Sequence, residues 1–77
     1  GPYRAYFNVG RYDDVIDLST FTLDYRPDLE ESYFWRGWAE YMLGDKNAAI
    51  TDWRESLEVN PTFNDANVAL ESVGAGP

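Results

Sequence analysis

The sequence has no cysteine and no histidine, and its six lysines and arginines face fourteen aspartates and glutamates. Without cysteine, disulfides and thiolate metal sites are excluded. Without histidine, the commonest general base and metal ligand is missing. The formal net charge is -8, whereas nucleic acids and anionic membranes bind basic surfaces. We therefore expect no metal, no cofactor, and neither nucleic acid nor membrane as a partner.

Long apolar runs are also missing. No segment approaches the ~20 apolar residues of a membrane-spanning helix, and no signal peptide is recognisable. The 77 residues suffice for one small domain, and aromatic residues, at 17% of the sequence, supply much of its apolar area. Gly1-Pro2 resembles the remnant of a cleaved affinity tag. We expect the rest to be a piece of a larger protein, whose compartment the composition leaves open.

What is present is a repeat with a period of thirty-four residues. Glycines, apolar pairs, leucines and prolines recur at that offset: Gly10 with Gly44, Val15-Ile16 with Ala49-Ile50, Leu23 with Leu57, and Pro27 with Pro61. A fixed period of this length predicts stacked supersecondary units, which commonly serve as binding surfaces.

Apolar spacing and helix-ending residues predict five helices and no strand. We expect these helices over residues 3–9, 13–25, 28–43, 47–59, and from 64 or 65 to about 73. Asp28 is the expected N-cap of the third helix. Asp13, Asp14 and Asp17 suit the first turns of the second helix, where the helix dipole favours anions, so we interpret them as a solvated helix start and not as a metal site. The connections are short, so successive helices must run antiparallel.

Residues 33–61 resemble the tetratricopeptide repeat, a helix-turn-helix unit of thirty-four residues. The positions that carry the resemblance are the small Gly37, the turn Gly44-Asp45, the apolar Ala49-Ile50, Trp53 and Leu57, and the terminal Asn60-Pro61. The resemblance implies an all-α superhelix of antiparallel helix pairs. In this reading residues 3–77 are one domain. A partial first repeat spans 3–27, a complete repeat 28–61, a capping helix 62–74 and a frayed tail 75–77.

Three residues depart from the pattern of that family. Ser19 stands where an aromatic residue is usual, and Arg36 and Glu40 stand where leucine and tyrosine are most frequent. A buried charge needs a partner. Glu40 lies one turn along the same helix, and Asp52 lies on the facing helix. We favour Asp52 as the partner of Arg36, because the antiparallel hairpin brings the two close.

The third helix carries apolar residues on nearly all sides, as a buried helix does. The resemblance implies that one face of it lines a concave groove. The residues expected at this groove or its rim are Glu31, Phe34, Trp35, Trp38, Tyr41 and Met42, together with Phe7 from the short first helix. Such a face could bind a peptide or helix, pack on another copy or a parent domain, or be covered by the first and last helices of the chain itself.

The expected partner is a protein or peptide. Some tetratricopeptide repeats bind a C-terminal carboxylate through basic groove residues, but the corresponding places here hold Trp35, Asp65 and Ala69. With no positive charge expected in the groove, an apolar or basic segment suits it better. We interpret the chain as a non-enzymatic interaction module. The alternative is a self-association or docking element that forms homo-oligomers, with exchange of the short first helix between copies.

Overall fold

The computed structural model describes residues 1–76 and contains five α-helices in that range. They are α1 (Pro2–Asn8), α2 (Tyr12–Tyr25), α3 (Glu30–Met42), α4 (Lys46–Val59) and α5 (Asn64–Ser72). The described part of the chain has no strand, so the predicted all-α class is confirmed. Pro77, the last residue of the predicted tail, lies outside the described residues.

The third helix is the centre of the fold, because α3 packs against both α2 and α4. The first helix lies on α2 and α3, and α5 packs on α4. The turns after α1 and α3 have the same conformation: Gly10 has φ 78° and Gly44 has φ 94°. Both values fall in the left-handed region that favours glycine at helix ends, so the period seen in the sequence is also a period in backbone geometry.

Four helix starts differ from the prediction, by one residue for α1, α2 and α4 and by two residues for α3. Asp28 is not the N-cap of α3, because that position belongs to Leu29. The Asp28 carboxylate instead accepts hydrogen bonds from Arg26 at 3.1 and 3.4 Å, which lower the pKa of Asp28. The side chain of Asp45 caps α4 by accepting a hydrogen bond from the backbone N–H of Ala48 at 3.1 Å. The turn residue of the sequence pattern is therefore also the cap of the next helix.

The core is built around Trp53, whose side chain is 0% exposed. It packs with buried residues of α4 and α5, namely Ala49, Ala66, Ala69 and Leu70. On α3, a Cβ atom added to Gly37 would lie 2.6 Å from the indole nitrogen of Trp53. That nitrogen donates a hydrogen bond to the carbonyl of Phe34 at 3.2 Å. The glycine thus allows the close approach of α3 and α4.

In the pair α3–α4, a small residue on the first helix, Gly37, faces a large one on the second, Trp53. The pair α1–α2 has the large residue on its first helix and the small one on its second. At the offset of thirty-four residues, Ser19 aligns with Trp53, and Tyr3 aligns with Gly37. Ser19 is 0% exposed, and its hydroxyl donates to the carbonyl of Val15 at 2.7 Å, so no polar group is left unpaired by the missing ring. The larger residue, Tyr3, stands on α1, and its hydroxyl is hydrogen-bonded to that of Ser32 on α3 at 2.8 Å.

Arg36 connects three helices. Its guanidinium donates to both carboxylate oxygens of Asp52 at 2.8 Å each and to the hydroxyl of Thr20 on α2 at 3.2 Å. The guanidinium carbon also lies 5.7 Å from the ring centre of Tyr33. Of the two partners that the sequence offered, Asp52 and not Glu40 forms the ion pair with Arg36. The hydrogen bonds with Asp52 raise the pKa of Arg36.

Glu40 lies beside this ion pair. Its Oε1 is buried and has no hydrogen-bond partner among the described residues. Burial and the neighbouring Asp52 carboxyl group raise the pKa of Glu40 to about 8, against the opposing effect of Arg36. A carboxyl group with such a pKa holds its proton at neutral pH, and only the protonated form can donate a hydrogen bond to Asp52.

A concave aromatic groove as the candidate functional site

A groove of about 460 Å³ opens between α1, α3 and the start of α5. Half of its lining residues are aromatic, and α3 forms its floor, with α1 on one side and α5 on the other. The residues that line it are Arg4, Phe7, Asn8, Phe34, Trp35, Trp38, Met42 and Asp65.

Of the seven residues predicted at the groove or its rim, five lie together in this groove: Phe7, Phe34, Trp35, Trp38 and Met42. Tyr41 does not line it, which corrects the prediction. Its ring lies 5.6 Å from that of Trp38 and 6.2 Å from that of Trp53, so this tyrosine leans towards α4. Glu31 lies at the rim, in an adjoining pocket of about 130 Å³ that also includes Arg4 and Asp65.

Edge-to-face and tilted ring contacts hold the groove walls. Phe34 packs on Phe63 at 5.4 Å and on Trp35 at 5.4 Å between ring centres. Phe7 packs on Trp35 at 5.5 Å, and so attaches α1 to the aromatic face of α3. These side chains are half-buried. The first helix and the turn before α5 therefore cover the aromatic face in part and leave a channel between them.

The groove contains a cation that the sequence reading missed. The guanidinium of Arg4 lies 5.7 Å from the ring centre of Trp35, within the range of a cation–π contact. The expectation of a groove without positive charge was therefore wrong. The spacing carries the signal, because Arg4 and Phe7 are three residues apart and share one face of a helix. The docking of so short a helix, however, is fixed by its contacts with α3 and not by its own pattern.

The acidic residues at the start of α2 are exposed or paired with arginine. Asp14 is bonded to Arg11 at 2.6 Å, and Asp13 lies exposed in the first turn of α2. No group of three potential metal-ligating side chains occurs within residues 1–76. In the same range, no helix is long and apolar enough to cross a bilayer.

The central part of the chain matches a known protein family. The family model described as tetratricopeptide repeat matches residues 30–63, which comprise α3, α4 and the turn that follows them. No curated protein and no solved structure matches the chain. Tetratricopeptide repeats are generally non-catalytic modules for protein–protein interaction, and this family points to that role here. Residues 30–63 therefore match a tetratricopeptide repeat, and the helix pair α1–α2 and α5 flank them.

Proposed function

We propose that this chain is a non-enzymatic interaction module whose concave aromatic groove binds an apolar or basic segment of a partner protein. The observation that carries the proposal is a channel of about 460 Å³ lined by half-buried aromatic rings. Burying such rings under a partner removes apolar area from water, which is the main favourable term in protein association. A channel of this size accepts a few side chains, so the partner presents a short helix or peptide.

The charges around the groove orient that segment. Arg4 and Asp65 both line it, and Glu31 stands at the rim. Arg4 is already in contact with Trp35, so a basic residue of the partner is better placed near the two acidic side chains. The aromatic floor contributes most of the affinity, and the charges contribute orientation and specificity.

A matched pair of variants tests the groove. Met42→Lys places a charge on the groove wall, and Val68→Lys places the same charge on an exposed site of α5 that does not line the groove. The probe is a helical peptide of leucine and lysine, followed by the chemical shifts of the indole N–H groups of Trp35 and Trp38. We expect Met42→Lys to weaken binding at least about tenfold and Val68→Lys to leave it unchanged. Equal binding by the two variants would refute the groove as the site.

Self-association is the second candidate function, and the structure of α1 favours it. This helix has seven residues and none of them is fully buried. A helix so short is unstable without docking, and the docking groove of one copy is available to the α1 of another. Sedimentation at two concentrations tests this. A concentration-dependent mass that falls when Phe7 is replaced by serine supports exchange, and a strictly monomeric mass at high concentration excludes it.

A further inference from the structure

We infer that the outer side of α2 is a second interaction surface, built on Phe21 and Tyr25, which docks a lysine- or arginine-bearing segment of a partner protein. This surface is separate from the concave groove, because neither aromatic residue lines it. It does not depend on the proposed function of the groove.

The two rings form an exposed pair. Phe21 is 61% exposed and Tyr25 is 73% exposed. They lie one helical turn apart, with ring centres 5.2 Å from each other and planes tilted by 53°. Their mutual contact leaves the outward ring faces open to solvent. Adjacent exposed aromatic rings of this kind mark interaction sites more often than isolated ones do.

The repeat shows that the fold does not require these rings. At the offset of thirty-four residues, Phe21 aligns with Glu55 and Tyr25 with Val59, both on α4. Glu55 and Val59 are also exposed. They belong to the pair α3–α4, and the preceding pair α1–α2, which packs against α3, does not cover them. A further helix pair stacked before α1 in the same geometry would therefore leave Phe21 and Tyr25 exposed as well. Neither the core nor repeat stacking accounts for two aromatic residues here.

The surrounding charge indicates the chemistry of the partner. Asp17 lies four residues before Phe21 and Asp24 three residues after it, which places both carboxylates beside the rings on one helix face. Both are exposed. The arginines at the two ends of α2 are bonded to other carboxylates, at 2.6 Å in one pair and 3.1 Å in the other. Within the described range, neither Asp17 nor Asp24 forms an ion pair.

Open rings flanked by unneutralised carboxylates suit a long cationic side chain. Lysine and arginine lay their apolar stems on a ring and keep the charge free for a carboxylate or a ring face. A second copy of this chain is the wrong occupant, because its net charge of -8 would bring acid against acid. The geometry therefore points to a basic segment of another protein.

The test removes the rings without adding a charge. In the double variant Phe21→Gln/Tyr25→Val, α2 carries the valine of α4 at one place and, at the other, the neutral counterpart of the aligned Glu55. The probe is a helical peptide of alanine and lysine, compared with the same peptide in which glutamate replaces lysine, and binding is mapped by backbone amide shifts. We expect the lysine peptide to shift amides of α2, and the double variant to bind it about tenfold more weakly. Val68→Lys, at an exposed site of α5 that belongs to neither surface, should bind it as the parent does.

A second variant keeps the rings and removes the charge. Asp17→Asn/Asp24→Asn should lower the affinity for the lysine peptide by a similar factor. Added salt should lower the affinity of the parent chain for the same peptide. Unchanged affinity in both double variants would overturn the inference. So would equal binding of the glutamate peptide, or amide shifts confined to the groove. A failure of the groove variants alone would bear on the proposed function and not on this surface.

Discussion

Replacing Glu40 by glutamine should make the protein more stable at pH 8 and should remove most of the dependence of its stability on pH between 5.5 and 8.5. Glu40 is the residue whose Oε1 is buried without a partner beside the Arg36–Asp52 ion pair. Glutamine has nearly the same shape, and its amide can donate to the Asp52 carboxylate at every pH.

The sign follows from linkage. The pKa of Glu40 rises from an ordinary value of 4.5 to about 8 in the folded protein, so between these values the folded state holds a proton that the unfolded state has lost. Stability is therefore fully present below about pH 4.5 and is lost as the pH rises towards 8. Ionisation at high pH places a second anion, Glu40, beside the Asp52 carboxylate, whose partner is Arg36.

The magnitude has an upper limit of about 1.4 kcal/mol for each pH unit. Because Glu40 is only partly buried, solvent screening reduces this to about half. From pH 5.5 to 7.5 the loss is then roughly 1.4 kcal/mol, which lowers the melting temperature of a domain this small by about 5–10 °C.

The assay is thermal unfolding followed by circular dichroism in buffers from pH 5.5 to 8.5. Over this range ordinary carboxylates stay ionised. Glu55→Gln, at an exposed position of α4, is the matched control, because it makes the same substitution at a carboxyl group outside the core. We expect the curves of melting temperature against pH to be steep for the parent and for Glu55→Gln, and nearly flat for Glu40→Gln. Parallel curves for all three proteins would refute the reasoning.

Two further predictions concern the packing of α3 against α4. Arg36→Ala should destabilise the fold by about 2 kcal/mol or more, because it leaves the nearly buried Asp52 carboxylate without its cation. Arg54→Ala, at an exposed arginine, is the control. If urea unfolding showed that Arg36→Ala lowers the free energy of unfolding by no more than about 0.5 kcal/mol, the prediction would be contradicted. Gly37→Ala should cost about 1–3 kcal/mol, because the added methyl group would lie 2.6 Å from the indole nitrogen of Trp53. Melting measurements on this variant test the prediction, and a stability equal to the parent's would show that Trp53 moves aside freely.

The elements of the fold could be predicted from local pattern, but their exact starts could not. Asp28 has the residue type of an N-cap, yet Arg26 two positions earlier bonds it and α3 starts after Leu29. Asp45 has the same residue type and does cap its helix. A sequence pattern names the residues able to cap a helix, whereas competition from neighbouring side chains decides which of them does so.

The groove shows the same limit at the level of side-chain direction. Helical spacing grouped the α3 residues of the groove, because a fixed rotation per residue relates them. It failed for Tyr41, which lies at the edge of that stripe and leans towards Trp53. It also failed for Arg4, since the docking of a short helix depends on contacts with α3 that no local pattern contains. Spacing within one helix is readable from sequence, whereas pairing between helices is not.

Because Arg4 belongs to α1, the charge of the groove depends on whether α1 is docked. This arginine is the one cation among the residues that line the groove, and it belongs to α1, which has no fully buried residue. Local opening that releases α1 would remove that cation and leave Asp65 and Glu31 facing the channel. An acidic partner would then bind the ordered state and protect the α1 amides from hydrogen exchange. A basic partner would favour the released state and expose them.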